Sequence, residues 1–354
     1  MLRYRNELDK MPSYDGVEKS YRIKVNANES TLNLPPMVEE RVLNRLGLLA
    51  FNRYPNEEYY SLVEQIAKNF SVDASQVLLG GGSSEIIEKI FHAFGGAGHT
   101  IVYPQPSFSM YKIYAKAADA DGVPFDLDAQ FNLNVDEFIK KIHEVNASLA
   151  VVCNPNNPTG NALTPAQVEK IAASIDCAFL LDEAYVEFYG RSAVNLVKRY
   201  PNLIVARTFS KAYGMAGARV GYMIAQADVT RMINKCFMPY HMNVLTLAAA
   251  DIVYQMRDEF VPRLQMIIAE RKRMSEQLKT LSSVEVFPSE TNFILIRLAR
   301  AEELKDYLES LDIGIRYFSP QAFGLKNCLR ISIGTRTEND EVFAAIKNFL
   351  EARQ

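Results

Sequence analysis

The stretch RTFSKAYGMAGARVGY, Arg207 to Tyr222, sets Lys211 among small residues, with Ser210 before it and Arg219 eight positions on. A lysine in such a setting acts as an amine nucleophile toward an aldehyde if desolvation and a nearby cation lower its pKa. Ser210 and Arg219 would suit a phosphate on the same ligand, and Gly214, Gly217 and Gly221 permit close backbone approach. A second chemical group is Asp182 in LLDEAYVEF. It ends the apolar run Ala178 to Leu181, where a carboxylate is costly unless paired or functional, so a helix cap, a salt bridge and a ligand contact are all open to it. Tyr185, three residues later, can offer its phenol to the same place. NPNNPTG, Asn154 to Gly160, is either a rigid turn or a loop that points Asn157 at a ligand. GGGSSE, Gly80 to Glu85, is either a glycine turn with a serine cap or an anion site at the start of a helix. It lacks the Gly-Lys-Ser/Thr of a P-loop, and it is not the dinucleotide fingerprint in its expected place.

These groups need elements to hold them. NLIVARTF (202–209) and ARVGYMIA (218–225) read as buried strands, which puts Lys211 on the turn between them. VLL (77–79) leads through three glycines into a helix opening at Ser83 or Ser84, and HTIVYPQPSFSMYKIYAKAA repeats strand, loop and helix. ASLAVVC and AFLLD are two further strands that end at the Asn/Pro loop and at Asp182. Alternation of this kind predicts an α/β fold with a mostly parallel sheet between helices and a ligand crevice beyond the strand ends. After Tyr240 the pattern changes to a long polar helix around EFVPRLQMIIAERKRMSEQLKTL and to strands at TNFILIRL, IGIRYF and CLRISIG. The expected organisation is an N-terminal arm (1–30) joining the small domain, a large domain (31–240) and a smaller α+β domain (241–354).

A chain of 354 residues exceeds what one core usually supports, in keeping with two domains. A net charge of −3 gives no electrostatic footprint for nucleic acid or an anionic membrane, so an anion must be bound by a local site. The start MLRYRNELDK lacks an apolar core and no run reaches the length of a membrane span, so a cytoplasmic protein is expected. Cys153, Cys177, Cys236 and Cys328 are widely spaced and read as reduced core thiols; the four histidines show no metal-ligand spacing, and no metal site is expected.

Taken together, the motifs resemble the pyridoxal-phosphate enzymes of the aspartate aminotransferase fold (fold type I, class II aminotransferases), and within that family the histidinol-phosphate aminotransferase branch. The resemblance runs through VNANE, RYPNEE, SSEIIEKIF, QPSFSMY, NPNNPTG, LDEAYVEF, RTFSKAYGMAGARVGY, SETNFILIRL and CLRISIGTRTEND, in the family's order. It implies pyridoxal 5'-phosphate as cofactor, joined to Lys211, with Asp182 on the pyridinium nitrogen and Tyr185 and Asn157 on the ring oxygen. Ser210, Arg219, Ser83 and Ser84 would hold the phosphate, Phe108 would stack on the ring, and Tyr54 would reach in from the second subunit of a homodimer. Arg330 would clamp the α-carboxylate of glutamate or 2-oxoglutarate; as a lone arginine in an apolar strand, its alternative is pairing with an internal acid. Arg316 would face a substrate phosphate. Tyr14, Tyr240 and Asn28 would line the substrate pocket, where the two tyrosines could instead be packing or surface residues.

The implied activity is transfer of an amino group between glutamate and imidazole acetol phosphate in histidine biosynthesis. Aromatic aminotransferases and threonine-phosphate decarboxylase share the motifs and remain the alternatives. Three features depart from the usual family pattern: the loop ANESTLNLPP, Ser84 where aspartate is common, and Phe108 where tyrosine is.

Overall fold

The structure, a computed structural model, describes residues 19–352. Among these, seven strands form one sheet: β2 (Val77–Gly80), β3 (Thr100–Gln105), β4 (Asp121–Asp126), β5 (Leu149–Cys153), β6 (Ala178–Asp182), β7 (Leu203–Thr208) and β8 (Gly221–Ile224). Their order is β2-β8-β7-β6-β5-β3-β4, and β8 alone runs antiparallel to its neighbours. The continuous apolar runs in the middle of the chain are explained by burial on both faces. Leu149 and Val151 of β5 pack with Ile86, Ile87, Ile90 and Phe91 of the helix Ser83–Phe94. Ala150 and Val152 pack with Val168 and Ile171 of the helix Pro165–Ser174 on the other side.

A second sheet has the order β1-β11-β12-β10-β9, from β1 (Ile23–Val25), β9 (Glu285–Val286), β10 (Phe293–Arg297), β11 (Ile313–Tyr317) and β12 (Cys328–Ser332). Pairing of β1 with β11 ties residues 23–25 to this sheet. Beyond β1 the chain meets residues of both sheets' sides: Asn28 bonds Ser332 of β12 and Tyr185 after β6, and the Ala27 carbonyl accepts from Lys211.

Two expectations shift in the structure. The strand expected at 218–225 starts only at Gly221, because 216–218 form a single 3-10 turn and Arg219 takes a left-handed φ of 53°. The change of pattern after Tyr240 is not where the cores part. Leu247, Ala250, Val253 and Tyr254 of the helix Val244–Gln255 still pack in the first core, whereas Met274 and Leu278 of the polar helix Val261–Lys279 pack in the second. We propose that the domain boundary lies within Val261–Lys279. Cys153 and Cys328 are buried free thiols; Cys177 and Cys236 are also free but only half-buried, so they are less fully core than expected. Among the described residues no helix is long and apolar enough to cross a membrane.

Candidate active site

The strand ends bring the expected groups together. On β6 side chains alternate between faces: Leu180 faces the helix Ser83–Phe94, Asp182 points the same way, and Glu183 points opposite. Asp182 is 3% exposed and accepts from Tyr111 Oη at 2.8 Å and from the Ala184 N–H at 3.2 Å. Burial pushes its carboxyl up to about 6, against the pull of those two donors. A carboxylate held this way lacks a cation, and a protonated ring nitrogen would supply one. Behind it, Glu183 is fully buried and bonded to Arg207 Nη2 at 2.8 Å, to Ser192 Oγ at 2.7 Å and to the Ala193 N–H at 2.8 Å. That cluster ties the ends of β6 and β7 to each other, and with them the strands that carry Asp182 and lead to Lys211.

Lys211 lies on the β7–β8 turn as expected, donating from Nζ to the Ala27 carbonyl at 3.2 Å. Burial, then the guanidinium of Arg330, push its amine down to about 8; Glu29 opposes the shift. An ordinary lysine near 10.5 is almost wholly ammonium at pH 8, so the shift leaves about half of Lys211 as free amine there. In cofactor-free protein, Lys211 should therefore react with a small aldehyde plus borohydride at a rate that rises through about pH 8 and levels off above it. Peptide mass spectrometry across pH checks this; a rate still climbing toward pH 10, as for surface lysines, would contradict it.

An anion cradle lies nearby. Arg219 Nη1 is 3.3 Å from Ser210 Oγ, which also accepts from Thr208 Oγ1 at 2.9 Å. Gly82, at a φ of 85°, lies directly under this guanidinium: a Cβ there would sit 2.6 Å from Arg219 Nη2. A Cβ on Gly221 would sit 2.4 Å from the Ser83 nitrogen. Glycine at these two positions is what lets the arginine, the serine and the opening N–H groups of the helix Ser83–Phe94 converge. Phe108, half-buried, packs edge-on against Tyr111 at 5.5 Å, next to the partner of Asp182. This set fits a ring that carries a phosphate at one end and a basic nitrogen at the other.

Tyr185 is buried, accepts from Asn28 Nδ2 at 3.0 Å, and lies edge-on to Phe293. Arg330 joins the two domains: Nη1 donates to Asn157 Oδ1 at 2.6 Å and Nη2 to the Asn26 carbonyl at 2.7 Å. Arg316 on β11 stands directly opposite Arg330 on β12, hence on the same face of the sheet, but is exposed. Tyr54 and Tyr240 stack on each other at 4.0 Å, and both are more than half exposed. Tyr14 lies outside the described residues. Sequence reading missed Tyr111, because SMYKIYAKA presents it as one more apolar helix position, and it missed the run Asn26–Ala27–Asn28 as a partner of Arg330, Lys211 and Tyr185. Backbone carbonyls leave no mark in residue type.

The chain belongs to the class I and II aminotransferases, whose family model matches residues 22–346. Within that class it is 36% identical to the histidinol-phosphate aminotransferase of Thermoanaerobacter sp. (strain X514), over 98% of each chain. The fold is that of the Sinorhizobium meliloti histidinol-phosphate aminotransferase solved with pyridoxal-5'-phosphate: TM-score 0.90 at 23% identity, over 100% of this chain and 99% of that one. L-threonine-O-3-phosphate decarboxylase from Porphyromonas gingivalis is also similar, with TM-score 0.81 at 26% identity over 93% of this chain and 99% of that one.

Proposed function

We propose that this chain is a histidinol-phosphate aminotransferase that uses pyridoxal 5'-phosphate to move an amino group between glutamate and imidazole acetol phosphate. The observation that carries the reading is the convergence of groups from the end of β6 and from the β7–β8 turn: a part-buried amine at Lys211, a buried carboxyl at Asp182 and an anion cradle at Ser210 and Arg219. When bound, the cofactor supplies an electron sink for charge developing at the substrate's α-carbon. Asp182 holds the proton on the ring nitrogen, and Tyr185 and Asn157 hydrogen-bond the ring oxygen. Ser210, Arg219 and the amides of Ser83 and Ser84 fix the phosphate, while Phe108 covers the ring. With the cofactor bound, Lys211 would serve as general base toward the substrate's α-proton and then as the acid that returns it. Arg330 binds the α-carboxylate.

The chain is also proposed to act as a homodimer. Tyr54 and Tyr240, stacked on each other and open, have exposed Phe51 and Met238 within three residues of them. Apolar residues gathered this way suit a surface covered by a second copy, where Tyr54 would complete the other subunit's phosphate site and Tyr240 its substrate pocket. Such an assembly suits a cytoplasmic biosynthetic enzyme.

Arg316 makes the substrate testable. It shares a face with Arg330, and no described residue forms an ion pair with it. Losing a charged partner costs about 2 to 5 kcal/mol in a desolvated pair, and the exposure of Arg316 places the expected cost at the lower end. Arg316→Ala should thus weaken histidinol phosphate by about 2 kcal/mol in kcat/KM and leave glutamate nearly unchanged. Equal losses for both substrates would contradict a phosphate-facing role.

A further inference from the structure

The amide of Asn28 is spent inside the protein, and the order of its bonds decides what Tyr185 can do. Asn28 is 1% exposed and sits at a left-handed φ of 54°. Its backbone N–H can only donate, and it donates to Ser332 Oγ at 2.9 Å. The single proton of Ser332 then goes to Asn28 Oδ1 at 3.1 Å. With the amide oxygen facing Ser332, its NH2 faces Tyr185 and donates to Oη at 3.0 Å; the reverse rotation would leave the Ser332 proton without this acceptor. A phenol has one proton and two acceptor sites. Because Asn28 fills an acceptor site, the Tyr185 proton stays available for another acceptor.

We propose that Asn28 is a positioning residue, in place of a substrate contact: through Tyr185, it keeps the phenol a donor toward the ring oxygen of the cofactor. The inference rests on the cofactor reading above. It also explains why the chain turns at Asn28 on its way from β1: the left-handed conformation, which asparagine tolerates better than most residues, brings both its N–H and its side chain to Ser332 on β12 while the amide reaches Tyr185 after β6. The small domain thereby sets the polarity of a hydrogen bond in the large one.

Asn28→Asp keeps the shape and suits the same backbone, but presents acceptors on both sides. Tyr185 must then donate to the new carboxylate and is lost to the ring oxygen. Removing a donor from that oxygen raises the pH at which the visible absorption band of the substrate-free holoenzyme changes, because the oxygen then holds the neighbouring linkage proton more tightly. The experiment is a spectrophotometric titration of wild type, Asn28→Asp, Tyr185→Phe and the double variant, with folding checked by circular dichroism. Asn28→Asp and Tyr185→Phe should each raise the midpoint by about one to two pH units, and the double variant should match Tyr185→Phe alone. A midpoint unmoved by Asn28→Asp, or a shift that persists in full without the phenol, as a bare charge would give, overturns the proposal. Asn28→Gly, which also fits the left-handed backbone, removes the amide without adding a charge. It should raise the midpoint by less, and again not at all beside Tyr185→Phe; if Asn28→Asp does not fold, this pair decides, and an unmoved midpoint or a raised KM alone counts against the proposal. Wild type with no visible band would defeat the cofactor reading itself, a result distinct from any of these.

Discussion

Lys211→Ala is expected to lower turnover by at least about 10,000-fold and to leave the fold as stable as before or slightly more so. The loss follows from two roles in one side chain. In the proposed mechanism Lys211 is both the nucleophile that would join the cofactor to the protein and the base that would move the substrate's proton, and no other lysine is placed by the β7–β8 turn. The unchanged fold follows from the pKa. Burial pushes the amine from 10.5 down to about 8, so below pH 8 its charge opposes folding, and this cost fades as pH rises from 8 toward 10.5. Removing the group relieves that cost at neutral pH and breaks one hydrogen bond, to the Ala27 carbonyl. Steady-state rates and thermal melts measure both halves. Residual turnover within about 100-fold of wild type would remove Lys211 from the chemistry.

Asp182→Asn should keep cofactor binding, since the phosphate cradle at Ser210 and Arg219 is untouched, yet lose about 100- to 1,000-fold in kcat. The carboxamide fits the same space, with its oxygen accepting from the Ala184 N–H and its NH2 facing the Tyr111 hydroxyl, which turns to accept, but it cannot hold a proton on the ring nitrogen. A second readout is independent of catalysis. In cofactor-free protein the folded carboxyl is raised from 3.8 to about 6, so the stability tied to its protonated form is fully present below about pH 4 and lost as pH rises through 6. The variant lacks this loss and should gain stability relative to wild type across that window, seen in urea melts at pH 4 and pH 7. Near wild-type turnover would show that no charge is needed at this position.

What the sequence disclosed was governed by where apolar runs stop. Asp182 stands out because it closes the apolar run of β6, a strand buried on both faces, and Lys211 because it follows the buried strand β7 amid small residues. The helix Val244–Gln255 was passed over for the opposite reason. It is packed against neighbours on much of its surface and lacks the polar face that marks an amphipathic helix, so the visible change of pattern at Tyr240 precedes the proposed domain boundary by about twenty residues. Arg219 was legible as a cation near Lys211, but its left-handed backbone, which shortens β8, was not. Asn28 was legible as a site residue through the VNANE motif. Its partners Tyr185 and Ser332 lie 157 and 304 positions away, a distance across which residue type predicts no contact.

The central claim is amino transfer from a phosphorylated imidazole substrate, and one panel tests it most directly. Purified protein with pyridoxal 5'-phosphate is given histidinol phosphate, phenylalanine or threonine phosphate, each with 2-oxoglutarate, and glutamate formed and carbon dioxide released are measured together. Glutamate is expected from histidinol phosphate at a kcat/KM well above that for phenylalanine, with no carbon dioxide from threonine phosphate. Phenylalanine as the better donor, or carbon dioxide released from threonine phosphate without need of the 2-oxo acid, would contradict it.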